Sequence, residues 1–199
     1  MDSNLFRQIN RLADRTGWAH GAFKANAGYG IALFAVVLLV AYLDGRHHAD
    51  LTAVAGSVWA ALAALVALGV GQFIGGAVDR ARPYEAMTNV HVLVDKTTDF
   101  SFPSDHATVA GAVAVGLLFA NRRWGIVAAV LAVLMAFTRV YVGAHYPGDV
   151  LAGLALGGLV ATIGWYTIVP ILRRLATWMT TTRLRRLVTV ARPVSAGTG

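Results

Sequence analysis

"LTAVAGSVWAALAALVALGVGQFIGGAV", residues 51–78, runs for 28 positions without one acidic, basic or histidine side chain. A helix needs about 20 apolar residues to cross a bilayer core, so this stretch reads as a transmembrane helix. Working outward, four more apolar, charge-free runs lie at about Ala25–Leu43, Ala107–Asn121, Trp124–Thr138 and Val150–Leu172. The expected fold is all-α, an integral membrane bundle of about five transmembrane helices. Composition agrees: of 199 residues 57% are hydrophobic and 14% charged, where a soluble domain carries about 25% charged residues. Lipid is the main solvent of such a chain.

The ends differ from the middle. In residues 1–24, Leu5, Ile9 and Leu12 recur at helical spacing opposite Arg7, Arg11 and Asp14, which predicts an amphipathic helix lying in the interface. The start is mixed polar rather than basic and then apolar, so no secretory signal is expected there. Residues 173–199 hold six of the 17 basic residues: Arg173, Arg174, Arg183, Arg185, Arg186 and Arg192. Placed behind an apolar span, that cluster and the net charge of +7 suit anionic lipid headgroups rather than nucleic acid. The chain reads as one membrane-embedded domain over 1–199, divided into an interfacial helix (1–24), a transmembrane core (25–172) and a basic tail (173–199). With the tail cytoplasmic, the inner side holds nine basic residues and the outer side eight, an orientation by the positive-inside rule. Trp124, Tyr166 and Trp178 fall near span ends, where aromatic belts form. Glycines at 69, 71, 75 and 76, and at 153, 157 and 158, are candidate close helix contacts. The absence of cysteine rules out disulfides and a thiol nucleophile.

Three polar clusters, "DRARPYE" (79–85), "SFPSDH" (101–106) and "TRVYVGAHYPGD" (138–149), fall on one membrane face if the spans alternate. Their residues have complementary chemistry. Arg82 and Arg139 can grip a phosphoryl group and neutralise its charge. Ser104, after Pro103, reads as an N-cap that leaves the next backbone N–H groups as an anion site. Pro147 suits the first position of the last span. That puts Asp149 in its first turn, close enough to accept a proton from His145 and fix the tautomer. Two histidines, His106 and His145, suggest one nucleophile and one general acid. His20, His47, His48 and His91 read as solvated interfacial side chains. His145 and Asp149 alone are too few to ligate a metal beside arginines, so neither metal nor other cofactor is expected.

Arg82–Pro83, Pro103-Ser104-Asp105-His106 and Arg139-x5-His145-x3-Asp149 resemble the three-part signature of the type 2 phosphatidic acid phosphatase superfamily, over roughly residues 70–155. "SFPSDHAT" with the nearby "RPYE" is most similar to its bacterial undecaprenyl-diphosphate phosphatase branch. The resemblance implies a metal-independent lipid phosphatase with a helical bundle fold. His145 would form a phosphohistidine, Asp149 would orient it, and His106 would protonate the leaving oxygen. Arg82, Arg139 and Ser104 would hold phosphoryl oxygens. The expected substrate and partner is a polyprenyl diphosphate within membrane lipid; phosphatidic acid or phosphatidylglycerophosphate is the alternative, and oligomeric state is left open. A lipid-phosphate transporter fits less well, because the spans carry no charged residue near their middles.

Three departures stand out. The family's lysine position is Gly75, and Arg80 is the expected replacement ligand for phosphate. Thr138 stands for serine. Asp105 stands for glycine, near the phosphate site, either facing away or tuning His106. The third and fourth runs are short, at about 22 Å by helical rise, which predicts an active site slightly below the outer interface.

Overall fold

The computed structural model describes residues 2–190. Arg192 and the rest of the tail beyond 190 lie outside the described residues. Among those described, every regular element is helical: α1 (Asp2–Arg15), a short 3-10 turn (Gly17–Ala19), α2 (His20–His47), α3 (Leu51–Val78), α4 (Pro83–Ala86), α5 (Asp105–Ala120), α6 (Arg122–Tyr141), α7 (Pro147–Thr167), α8 (Val169–Met179) and α9 (Arg185–Val188).

α3 has the bounds expected for it, and its ends show why. Asp50 caps the start by accepting from the N–H groups of Thr52 (2.9 Å) and Ala53 (3.0 Å), which otherwise lack partners. Asp79 ends the helix in the left-handed region at φ 48°. Helices α2, α3, α6 and α7 are long and apolar enough to cross a membrane, whereas α5 has only 16 residues. The fold compensates by placing α5 at the centre, packed on α3, α6 and α7. Its Ala107, Ala110, Ala112, Val113 and Leu117 are buried. Apolar side chains on the outer helix faces, such as Leu65, Phe73, Val130, Val133 and Leu151, remain exposed, as lipid-facing residues would.

The α5–α7 contact is backbone against backbone. A Cβ at Gly157 would lie 2.0 Å from the Thr108 carbonyl, and one at Gly153 would lie 2.6 Å from that of Ser104. These two glycines therefore mark close contacts, as their spacing suggested. Gly69 does not: among the described residues, nothing lies within 4 Å of a Cβ there.

One further expectation needs correction. The apolar run 150–172 is not one helix. α7 ends at Thr167, Ile168 intervenes, and α8 begins at Val169. Pro170 lacks the N–H that a continuous helix would need, and its ring crowds the preceding turn. The N-terminal helix forms; it packs Phe6, Asn10 and Ala13 on the protein and leaves Leu5 and Leu12 exposed. Asn10 decides this, because its side chain donates to the His91 (2.8 Å) and Tyr141 (3.0 Å) carbonyls and accepts from the His91 N–H (2.8 Å). Leu5 and Leu12 flank the packed face, and the face opposite it carries the exposed polar residues Asn4, Gln8, Arg11 and Arg15.

Candidate active site

Six segments converge at one end of the bundle: the start of α2, the stretch from Arg82 into α4, the loop between α4 and α5, the start of α5, the end of α6, and the turn into α7. They enclose a cavity of about 600 Å³, whose lining includes Arg82, His106, Arg139 and His145. Three separate stretches of sequence thus meet as expected.

His145 is 2% exposed. Its Nδ1 lies 2.8 Å from the carbonyl oxygen of Ser101. A carbonyl can only accept, so Nδ1 carries the proton and Nε2 keeps a lone pair. That lone pair accepts from Arg82 Nη1 at 3.2 Å. Burial first, and then the positive charges of Arg139 and Arg82, push the imidazole well below its ordinary 6.5. It therefore stands neutral at physiological pH.

Asp149 is not the hydrogen-bond acceptor expected for His145. Its nearest oxygen, Oδ2, lies 3.9 Å from Nδ1. The reason is competition: Oδ2 already accepts from Ser101 Oγ (2.6 Å) and the Tyr146 N–H (2.9 Å), while Oδ1 accepts from Arg80 Nη1 (2.6 Å). Asp149 therefore reaches the imidazole through Ser101 and through its field.

Arg82 is buried and bridges three groups. Nη2 contacts Asp99 Oδ1 at 2.9 Å, and Nη1 donates to the Ala144 carbonyl at 3.1 Å as well as to His145. Asp99 is held below its ordinary carboxylate range. Burial acts in the opposite sense and is outweighed by a hydrogen bond from Thr97 and by the charge of Arg82. Arg139 is also buried, yet its Nε has no partner among the described residues, and the Ala27 carbonyl is a distant 3.5 Å from Nη1. A buried guanidinium left so under-satisfied is suited to an incoming anion.

The remaining expected residues divide. Arg80 is not among the residues lining the cavity; Asp2 and Asp149 hold its guanidinium, so it is not placed as a phosphate ligand. Asp105 lines the cavity but presents a carboxylate that accepts from Gln72 at 3.2 Å, and an anion there offers phosphate no donor. Ser104 occupies the N-cap position of α5 without a side-chain cap bond. It is fully buried, and its Oγ has no hydrogen-bond partner among the described residues. Gly75 has a structural reason: a Cβ there would sit 3.1 Å from both the Phe100 ring and the Phe102 carbonyl. Any side chain would need that loop to shift.

Lys24 was not singled out by sequence reasoning. It lines the cavity from the start of α2 and has no ion-pair partner among the described residues. Its only sequence signal was a lone basic residue just before an apolar run. His20 and His91 are likewise more than solvated side chains. Their rings pack 5.3 Å apart, and His91 Nδ1 lies 2.9 Å from Asp14 Oδ1. No group of three His, Cys, Asp or Glu residues suited to a metal ion occurs among the described residues.

A neutral imidazole with an unprotonated Nε2 facing Arg82, a second histidine and two buried guanidiniums around one cavity define a phosphoryl-transfer site in a membrane bundle. A family model described as the PAP2 superfamily matches residues 56–173, more than half of the chain, and the chain belongs to that superfamily. It is 33% identical over 167 residues to the undecaprenyl-diphosphatase BcrC of Bacillus subtilis (strain 168), covering 80% of each chain. Among solved structures it resembles Aquifex aeolicus LpxE, with a TM-score of 0.62 at 23% identity over 83% of this chain and 94% of that one. It also resembles a PAP2-type phosphatidylglycerolphosphate phosphatase from Bacillus subtilis, with a TM-score of 0.58 at 21% identity over 81% and 83%. At those identities the two structures share the fold.

Proposed function

We propose that the chain is a membrane phosphatase that removes the terminal phosphate of undecaprenyl diphosphate, leaving the monophosphate. The observation that carries this reading is the state of His145: protonated at Nδ1 by its bond to the Ser101 carbonyl, with Nε2 directed at Arg82 in an Arg-lined cavity. The similarity to BcrC over 80% of both chains supports the diphosphate as substrate.

The substrate's terminal phosphoryl group displaces Arg82 from the Nε2 lone pair and takes up the donors of Arg82 and Arg139. Nε2 then attacks the terminal phosphorus. The anhydride P–O bond breaks, its electron pair leaves with undecaprenyl phosphate, and His106, which gains a proton when the anionic diphosphate binds beside it, supplies that proton. A phosphohistidine remains. His106, now neutral, takes a proton from water; the hydroxide equivalent attacks phosphorus, the P–N bond breaks, and inorganic phosphate departs. Asp149 opposes the positive charge that develops on the ring. Ser104 Oγ is buried without a partner among the described residues and does not line the cavity, so it is not placed as a phosphoryl ligand.

The protein is a membrane protein. We infer in addition that residues 25–172 are its transmembrane core, that the basic tail is cytoplasmic, and that the cavity opens to the outside, as the arginine distribution supports.

Phosphate release by the purified protein tests the reaction, with undecaprenyl diphosphate and phosphatidic acid offered separately and in competition, in chelator. Release from the diphosphate that is lost in His145→Ala is the expected result. Preference for phosphatidic acid would overturn the substrate, and no release from either would overturn the reaction.

A further inference from the structure

Arg80 links two chain segments that are far apart in sequence. Its Nη1 lies 2.6 Å from Asp149 Oδ1, and its Nη2 lies 2.6 Å from Asp2 Oδ2. The guanidinium carbon sits 4.0 Å from the centre of the Tyr146 ring, which adds a cation–π contact. The second oxygen of Asp2 accepts from the Gly148 N–H at 2.9 Å, at the start of α7 where N–H groups lack helical partners. On the other side, the Arg80 carbonyl accepts from the Ser101 N–H at 2.8 Å, and Ser101 in turn holds both Asp149 and His145.

Asp149 is fully buried, and a buried carboxylate needs a cation and fixed donors to stay ionised. Among the described residues, Arg80 is the only basic residue paired with it apart from the distant His145 contact. Left to itself, a guanidinium that is 30% exposed would exchange between Asp149 and water. Asp2 removes that freedom by engaging the second nitrogen while also gripping the N-terminus of α7.

We propose that Asp2 and Arg80 are positioning residues of the reaction, so that α1 is part of the active-site scaffold as well as an interfacial helix. Asp2 fixes Arg80, Arg80 fixes Asp149 and Ser101, and those two set the place and charge environment of His145. The inference rests on the reading of His145 as the nucleophile. Neither Asp2 nor Arg80 lines the cavity, so their removal acts on kcat and leaves KM near its starting value.

The test is a double-mutant cycle on steady-state release of phosphate from undecaprenyl diphosphate, using the full chain in detergent. Misplacing a reacting group by about 1 Å costs on the order of 100-fold in rate. Arg80→Gln is therefore expected to lower kcat by roughly that factor, and Asp2→Asn by about tenfold. Because Asp2 acts through Arg80, adding Asp2→Asn to Arg80→Gln lowers kcat no further, whereas independent effects would multiply. Arg80→Lys, which can pair with one carboxylate at a time, restores part of the loss. Thermal unfolding of each variant separates misfolding from mispositioning; Asp2→Asn is near-isosteric and keeps an acceptor for Gly148. Unchanged kcat in Asp2→Asn with His145→Ala inactive would overturn this inference alone, as would multiplicative losses in the cycle. Full activity in His145→Ala would overturn the nucleophile assignment and this inference with it.

Discussion

His145 donates its Nδ1 proton to the carbonyl of Ser101 at 2.8 Å, and Asp149 stands behind that bond with its Oδ2 3.9 Å from the same nitrogen. The backbone therefore sets the tautomer, and the carboxylate supplies charge. These two jobs are often combined in one residue beside a catalytic imidazole. Here they are separated, and the separation has measurable consequences.

The first concerns Asp149→Asn. The ring becomes positive only as Nε2 bonds to phosphorus, so a field from Asp149 favours the transition state over the bound ground state. Two unit charges about 4 Å apart interact by roughly 4 kcal/mol at an effective dielectric of 20, which bounds the effect at about a thousandfold. A neutral amide at this position cannot supply that charge, while the Ser101 carbonyl still holds the tautomer. The expected outcome is a kcat lowered by up to about 10³-fold with KM nearly unchanged, against complete loss in His145→Ala. Steady-state kinetics on both variants checks it; equal, complete loss in both would mean that Asp149 holds the tautomer after all.

A second consequence is pH-dependent. Burial and the neighbouring arginines hold the His145 pKa well below 6.5 in the folded protein. As pH falls below about 6.5 the unfolded chain takes up this proton first, so folding stability drops with pH by up to about 1.4 kcal/mol per unit from this group. The loss stops once pH falls below the folded pKa; above 6.5 the group contributes no slope. His145→Gln is expected to flatten the stability profile between about pH 5 and 6.5, as read by denaturant unfolding in detergent. An unchanged slope in the variant would show that His145 is not the buried neutral group described here.

How far the fold could be read from sequence depended on whether a signal was local. α3 was legible to the residue because a charge-free run, an aspartate cap and a polar loop are all local features. The meeting of Arg82, His106, Arg139 and His145 at one end followed from alternating spans. The roles of Asp2, Arg80 and Lys24 were not legible. Each depends on how α1 and α2 dock on the end of the bundle, a tertiary matter that spacing does not encode. The docking of α1 on the bundle was not legible either, because it rests on Asn10, polar by type yet buried against the backbone of His91 and Tyr141. The break at Ile168 had a visible signal in Pro170, which the length of the apolar run outweighed.

Lys24 leads to a third expectation. It reaches the cavity from α2 and has no ion-pair partner among the described residues, whereas Arg82 is tied to Asp99. An ammonium on the cavity wall suits the initial capture of a multiply charged headgroup, a contact made equally in the ground and transition states. Lys24→Gln should therefore raise KM about fivefold with little change in kcat. The difference from the parent should shrink as ionic strength rises and the Debye length falls to about 3 Å near 1 M salt. A reduced kcat at unchanged KM would instead tie Lys24 to the chemical step.

The last expectation separates glycines that look alike in sequence. At Gly157 a Cβ would lie 2.0 Å from the Thr108 carbonyl and 2.6 Å from the Ala112 nitrogen, both backbone atoms of α5 that no rotamer change can move. Gly157→Ala must push α7 away from α5, and overpacking of this kind costs about 1–3 kcal/mol or more. The site feels that displacement as well, because α5 carries His106 and α7 carries Asp149. Gly69→Ala meets open space and, in a helix interior, gains about 1 kcal/mol of intrinsic propensity. Unfolding midpoints should therefore fall for Gly157→Ala and hold or rise for Gly69→Ala, with phosphate release reduced only in the first. Equal stability of the two variants would mean that α5 and α7 do not pack backbone to backbone at Gly157.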